Sequence, residues 1–389
     1  MTRRLLYAWE LGGGRGHVVH LATVAAALRR RGWTGSAALG GIDHAHELAP
    51  YCDVIRRGPK LPFHSDRGGS THYGDYLGCY HFDDEQIIAA AIDSWRRLIE
   101  SNGPDAVVAD HAPCAVLAAR SLGVPAVRIG VPATMPPSHI DSFPPFLSDD
   151  RQPAFDEKTI LDAVNSAMGR YKLEPASALP AVLRADDEVL ATVGLLDRYR
   201  EQRIRDSVPP VTGAWVEPGE RRREEVFVYL ATSDRQDPVI LTAIASLGLQ
   251  ARVVIAGNPE LGVAIAGSRN AIVERQPLLP GEIARRACVL VHSGNHGLSC
   301  LGLRAGLPQV TLSATSEHVF DGRQIAAAGV GINLERDQWT VPNIHAAIEA
   351  AWSDKHLSSQ AEDLAVRLAP EFVGDPGELT ADRIEAVIR

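Results

Sequence analysis

Residues 105–129, DAVVADHAPCAVLAARSLGVPAVRI, fit a strand, a helix and a second strand into one short unit. The run at 105–109 reads as a strand, apolar after Asp105 with two β-branched valines, 110–113 as a loop, 114–122 as an apolar helix stopped by Gly123, and 125–129 as another strand. Two strands joined by a helical crossover run parallel, and a parallel sheet is covered by helices on both faces. The chain opens in the same way. Residues 4–9 read as a strand buried on both faces. From His17 to Arg31, Val18, Leu21, Ala22, Ala25 and Leu28 step by three and four along one helix face. Gly32 ends that helix after Arg29, Arg30 and Arg31, cations suited to its negative end. A second strand at 36–39 and a helix over 85–100, broken by Gly103-Pro104, complete the series.

Residues 131–153, rich in Pro and Ser, read as a long loop, followed by helical stretches near 155–172 and 178–184. Residues 217–225, EPGERRREE, are charged and turn-forming, which marks a linker. Beyond them the alternation restarts, with strands at 226–230, 252–255, 288–291 and 309–312. A chain of 389 residues is too long for one core. The pattern predicts two doubly wound Rossmann-like domains in tandem, 1–216 and 226–389, facing each other across a cleft. The last helix is free to pack back on the N-terminal domain.

Composition excludes several classes. Hydrophobic content of 45% and charged content of 22% describe a folded chain. No run approaches 18 apolar residues and residues 1–20 lack a signal-peptide core, so a cytoplasmic, non-spanning protein is expected. A net charge of −9 argues against a nucleic-acid surface. The five cysteines, at 52, 79, 114, 288 and 300, form no Cys-x-x-Cys pair, and those at 114, 288 and 300 read as core residues. His64, His72, Cys79 and His81 fit no zinc spacing, so residues 64–81 read as a mobile surface loop and no metal site is expected.

Residues 10–20, ELGGGRGHVVH, place four glycines between the first strand and the first helix. The spacing fails G-x-G-x-x-G, because His17 and Val19 stand where the last glycine is needed, and no Gly-Lys-Ser/Thr follows. His17 sits at the helix N-terminus, whose dipole disfavours the imidazolium and keeps the ring neutral, as a general base requires. The plainer alternative is a histidine bonded to the loop. Asp110, at the end of the 105–109 strand, either accepts from His17 Nδ1 or caps the following helix.

The stretch 289–334 contains a strand, a Gly-containing turn, a helix, a strand, a polar loop and a helix. It resembles the donor-binding region of GT-B fold nucleotide-sugar-dependent glycosyltransferases, specifically the UDP-glycosyltransferase/macrolide-glycosyltransferase family. The family pattern H-G-G-x-G-T-x-x-E-A-L-x-x-G-V-P, counted back from Leu307-Pro308, aligns with Ser293-Gly294-Asn295-His296-Gly297-Leu298, and the later D-Q pair with Glu317-His318. Gly16-His17-Val18, residues 104–110, Leu122-Gly123-Val124-Pro125 and the strand 226–232 with Ser233 match further family segments in order. The departures are specific. The family's diphosphate-binding histidine falls on Ser293, its ribose-binding glutamate on Leu301, its aspartate on Glu317 and its glutamine on His318.

The resemblance implies an inverting, metal-independent transfer of a sugar from a nucleotide-diphosphate donor, expected to be a UDP-sugar, to a small acceptor. No other cofactor is implied. His17 and Asp110 take the roles of base and partner. Ser233, Ser293, Gly294, Asn295, His296, Gly297, Glu317 and His318 become donor contacts. Gly14, His64, His72 and His139, in or near the loops at 60–81 and 131–153, are acceptor candidates, and the protein is expected as a monomer or homodimer. Two alternatives stay open: a nucleotide-sugar 2-epimerase-like enzyme of the same fold, and a non-catalytic sugar-nucleotide-binding protein.

Overall fold

The central strand-forming runs, apolar on both faces, pair as parallel sheets. A computed structural model describes every residue except 1–2, 65–69, 148–150, 214, 216–223, 231–235, 257–264, 266–267, 277 and 389. The expected linker residues 217–223, and Ser233, therefore lie outside the described residues. The chain divides into two units, Met1–Val211 with Gly374–Arg389, and Thr212–Val373.

The first unit runs β1 (Arg4–Trp9), α1 (Arg15–Arg30), β2 (Thr34–Leu39), β3 (Val54–Arg57), α2 (Tyr73–Cys79), α3 (Glu85–Asn102), β4 (Ala106–Asp110), α4 (Pro113–Leu122), β5 (Ala126–Gly130), α5 (Glu157–Gly169) and β6 (Asp187–Leu190). Its sheet has the order β3-β2-β1-β4-β5-β6, with every pair parallel. The second unit runs β7 (Glu225–Leu230), α6 (Pro238–Ala245), β8 (Ala251–Ile255), β9 (Ala271–Glu274), α7 (Pro280–Arg286), β10 (Ala287–His292), α8 (His296–Ala305), β11 (Gln309–Ser313), α9 (Ser316–Ala327), β12 (Gly331–Glu335), α10 (Val341–Ser353) and α11 (Lys355–Leu368). Its order, β12-β11-β10-β7-β8-β9, is the same winding repeated. In each sheet the direction of winding reverses between the first and fourth strands, β1/β4 and β7/β10. Ligands of doubly wound sheets bind beyond the carboxyl ends of the strands at that reversal.

In the first unit Leu5, Tyr7 and Trp9 of β1 pack with Val18, Leu21, Ala25 and Leu28 of α1. Full burial of a leucine such as Leu21 or Leu28 contributes about 1.5–3 kcal/mol. The final helix, α12 (Pro376–Ile388), adds Ala381 and Ile384 to this core. Its polar edge is tied down as well. Arg31 bonds Glu378 at 2.7 Å, Trp33 Nε1 donates to Glu385 at 2.9 Å, and Arg383 bonds Asp187 at 2.7 Å. In the second unit Val226, Val228, Val289, Val291 and Val310 meet Ile344 and Ile348 of α10. Among the described residues, no helix is long and apolar enough to cross a membrane.

Three expectations need correction. Residues 64–81 are not simply a mobile surface loop: they contain α2, whose Tyr73, Leu77 and Cys79 are buried. Residues 179–183 form a 3₁₀ turn, with Pro180 in its first turn, in place of the helix read at 178–184. Cys288 is only half-buried, whereas Cys114 and Cys300 are buried.

Candidate active site

At the first reversal point, β1 and β4 pair through Trp9 and Asp110, so both chains leave the sheet at the same level. Gly12 and Gly14 adopt left-handed φ values of 85° and 100°, which glycine tolerates, and the turn delivers His17 within the first turn of α1. His17 Nδ1 lies 2.7 Å from Asp110 Oδ1, and His20, one turn later, places its Nδ1 3.2 Å from Oδ2. Asp110 is fully buried. Burial opposes its ionisation, but the charges and hydrogen bonds of His17 and His20 outweigh that and hold the carboxyl below its usual range. An ionised carboxylate only accepts, so both Nδ1 atoms carry hydrogen, and the neutral form of His17 has its lone pair on Nε2. Asp110 does not cap α4, whose N-cap is Ala112.

The ring of His17 is stacked between Trp9, 5.2 Å away, and His111, 5.6 Å away. His111 has the left-handed φ of 49°, unusual for a side chain of its size. Burial pushes it down to about 3, so it stays neutral, and both its ring nitrogens are buried without a hydrogen-bond partner among the described residues. A Cβ on Gly12 would stand 3.1 Å from His17 Nε2, 3.2 Å from Tyr76 Oη and 3.5 Å from His111 Nδ1. Glycine at 12 therefore keeps the lone pair of the histidine uncovered. Behind the turn, buried Glu10 accepts from Trp95 Nε1 at 3.1 Å and from the Cys114 amide at 3.0 Å.

At the second reversal point the turn after β10 is braced from below. His292 Nδ1 accepts from the Gly294 amide at 3.1 Å, so its hydrogen sits on Nε2, 2.9 Å from Gln309 Oε1. Burial pushes His292 down to about 4, which keeps it neutral. Gly294 has φ 87°, and a Cβ there would meet the His318 carbonyl at 2.6 Å. The first turn of α9 thus lies against this turn. Asn295 is the N-cap of α8 but makes no side-chain capping bond, so the first amides of that helix are not capped by it. Four buried polar atoms in this region, Ser293 Oγ, Asn295 Oδ1, Ser299 Oγ and His318 Nδ1, have no partner among the described residues. Two of these atoms are hydroxyls that can donate beside a helix N-terminus, whereas Asn295 Oδ1 can only accept.

Residues 258–385 match the family model for the C-terminal domain of erythromycin biosynthesis protein CIII-like proteins. The chain is 29% identical over 304 residues to an L-demethylnoviosyl transferase of Streptomyces niveus, covering 73% of each protein. It is 24% identical over 368 residues to a dTDP-epi-vancosaminyltransferase of Amycolatopsis orientalis, covering 87% of this chain and 88% of that one. Among solved structures it superposes on the calicheamicin glycosyltransferase CalG4 with a TM-score of 0.71 at 18% identity, covering 100% of this chain and 98% of the other. The spinosyn rhamnosyltransferase SpnG complexed with thymidine diphosphate gives 0.69 at 19% identity, covering 99% and 100%. The chain has the GT-B fold, and the relatives that it matches are glycosyltransferases.

Within this fold the residues singled out from sequence fall into three groups. His17 and Asp110 share one hydrogen bond, and Gly14 is the exposed N-cap of α1. Ser293, Gly294, Asn295 and Gly297 form the turn into α8, against which Glu317 and His318 open α9. His296 needs correction as a side-chain donor. Its Nδ1 faces Asp321 at 3.4 Å and its Nε2 faces Cys300 at 3.5 Å, so both nitrogens are engaged inside the unit. Burial opposes the charge on His296, but Cys300 and Asp321 hold it well above its usual range. His72 is corrected too: it is buried and caps α2 by accepting from the Asp75 amide at 2.9 Å. The His64 ring packs on His81 at 3.8 Å, and His139 bonds the Gln202 carbonyl at 2.9 Å.

Sequence reading missed His20, His111, Tyr76, Glu10 and Gln309. His20 was accessible in principle, because residues three apart share a helix face and so reach the same carboxylate. His111 carried no such signal, since its position depends on a left-handed backbone.

Proposed function

We propose that the chain is an inverting, metal-independent glycosyltransferase that moves a sugar from a nucleoside-diphosphate donor onto a hydroxyl of a natural-product acceptor. One observation carries the reading: the hydrogen bond from His17 Nδ1 to a fully buried Asp110 at the first reversal point. His17 Nε2 takes the acceptor's proton as its oxygen attacks the anomeric carbon from the face opposite the leaving group. The bond from that carbon to the diphosphate oxygen breaks, and Asp110 balances the imidazolium. The diphosphate sits on the α8 amides, with the Ser293 and Ser299 hydroxyls and the His318 ring as further donors. The helix end supplies the positive potential that this leaving group needs. The relatives, among them a dTDP-epi-vancosaminyltransferase and a rhamnosyltransferase complexed with thymidine diphosphate, favour thymidine over the uridine expected from sequence.

Thermal shift against dTDP, UDP and their sugars tests the donor half. A ligand at 100 times its Kd adds about 2.7 kcal/mol of stability. His17→Ala tests the acceptor half: turnover falls by roughly 10²–10⁴-fold while the nucleotide shift persists. Nucleoside diphosphate released only when acceptor is present separates transfer from 2-epimerisation. Unchanged turnover in His17→Ala removes the base assignment.

A further inference from the structure

Phe63, Tyr73, Tyr76, Tyr80 and Phe82 put five aromatic residues into 20 positions of a chain that is 6% aromatic. The fold lines most of them up. The Phe63 ring lies 4.8 Å from Tyr80, Tyr80 lies 5.2 Å from Tyr76, and Tyr76 lies 5.0 Å from His111. His111 in turn lies 5.6 Å from His17. The result is an unbroken strip of rings that begins at the surface and ends on the histidine beside Asp110.

Internal packing explains the inner end, where His111 and Tyr73 are buried. It does not explain the outer end: Phe63 is 54% exposed, and Tyr76 and Tyr80 are half-buried. Beside the strip runs the exposed loop Gly12-Gly13-Gly14, which presents no side chains, and the Gly12 amide donates to Tyr80 Oη at 3.0 Å. The outer rings, tilted by 51° between Phe63 and Tyr80 and by 46° between Tyr80 and Tyr76, thus form a faceted aromatic wall next to bare backbone. Polar groups gather at the inner end, where Tyr76 Oη and His111 Nδ1 stand with His17 Nε2 around Gly12.

We infer that this strip is the acceptor platform and that the acceptor is a planar aromatic compound whose phenolic hydroxyl is the nucleophile. The inference rests on the proposed function and narrows it. A planar ring stacks offset or edge-on against tyrosine and phenylalanine faces. A hydroxyl in the plane of that ring reaches the polar inner end without leaving the wall. A phenol, with a pKa of about 10, gives up its proton to a neutral imidazole far more readily than an aliphatic alcohol does. The phenolic proton passes to His17 Nε2, the oxygen bonds the anomeric carbon, and the diphosphate departs with the electrons of its broken bond.

The test measures binding of 4-methylumbelliferone, a fluorescent planar phenol, to the full chain, with cyclohexanol as the saturated control. Umbelliferone binds and cyclohexanol does not. Phe63→Ala and Tyr80→Ala each weaken umbelliferone about 3–10-fold, whereas Tyr80→Phe stays within twofold. Stabilisation by dTDP, read on the same variants, is unchanged and confirms folding; Phe63 is exposed, so its replacement is the safer of the two. Absence of umbelliferone binding in a protein that dTDP still stabilises overturns the inference and leaves the glycosyltransferase reading intact. Equal binding of cyclohexanol, or undiminished binding in both alanine variants, also overturns it. Umbelliferone binding that weakens as expected, without transfer from any nucleotide sugar, supports the platform and counts against the proposed reaction.

Discussion

Asp110→Asn separates the charge of the buried carboxylate from its shape. The carboxylate accepts from two imidazoles, at 2.7 Å from His17 and 3.2 Å from His20. Asparagine is nearly isosteric but offers one acceptor and one donor on these two sides, so only one Nδ1–H can be satisfied. The shorter contact claims the oxygen, and the amide NH₂ turns toward His20, which switches tautomer. His17 then keeps the lone pair on Nε2 and its geometry, and loses only the counter-charge for the imidazolium it becomes. Two unit charges about 4 Å apart at an effective dielectric constant of about 20 interact by about 4 kcal/mol. That is an upper bound of about 10³-fold on the chemical step. The variant therefore keeps its dTDP thermal shift and its donor KM, while kcat falls roughly 10²–10³-fold, measured as acceptor-dependent release of nucleoside diphosphate. Turnover within threefold of the parent would show that Asp110 does not carry the imidazolium, and the dyad would have to be abandoned.

Gly12→Ala places a methyl 3.1 Å from His17 Nε2 on a backbone of φ 85°; acceptor-dependent turnover falls at least tenfold with little change in donor stabilisation. Gly294→Ala meets the His318 carbonyl at 2.6 Å, a backbone atom that cannot swing away, so thermal stabilisation by dTDP is lost while the His17–Asp110 half is untouched. Glu10 carries a pH signature. Burial raises its carboxyl from 4.5 to about 7, against the opposing hydrogen bonds from Cys114 and Trp95. A raised folded-state pKa gives stability that is complete below about pH 4.5 and is lost as the pH rises through about 7. Between those limits denaturant titration of the parent shows a decline on the order of 3 kcal/mol that Glu10→Gln lacks. Parallel curves for the two proteins would refute it.

The central strands were legible because burial on both faces writes them as continuous apolar runs: 4–9 and 226–230 lie within a residue of the observed β1 and β7. The outer strands were not. In β3, Val-Ile-Arg-Arg, no residue is buried, and β6 opens with Asp187-Glu188. Such strands exist through pairing with a neighbour that the sequence does not announce. The same limit governs the site. Residues at the ends of β1, β4 and β10 could be placed because strand ends in a doubly wound sheet are predictable. His72 and His296 were misread because a histidine in a polar loop looks the same whether it faces solvent, caps a helix, or pairs with a buried Asp321. Only the packed chain distinguishes these.

The two units repeat one winding, and both α1 and α8 begin at glycine turns without a side-chain cap. Topology alone therefore offers the diphosphate two places. Charge decides between them. At the end of β4 stands the ionised carboxylate of Asp110, below its usual range and fully buried, which repels an anion near the N-terminus of α1. At the equivalent end of β10 stands His292, neutral and locked between Gly294 and Gln309. The nearby carboxylate of Asp321 faces the charged ring of His296. The second unit thus leaves its helix end uncompensated and its polar atoms unpaired, whereas the first gives its carboxylate two histidines. On the proposed function, the second unit therefore takes the diphosphate and the first does not. The same reading leaves His17 to work on a neutral acceptor, whose proton is the one charge that Asp110 would balance.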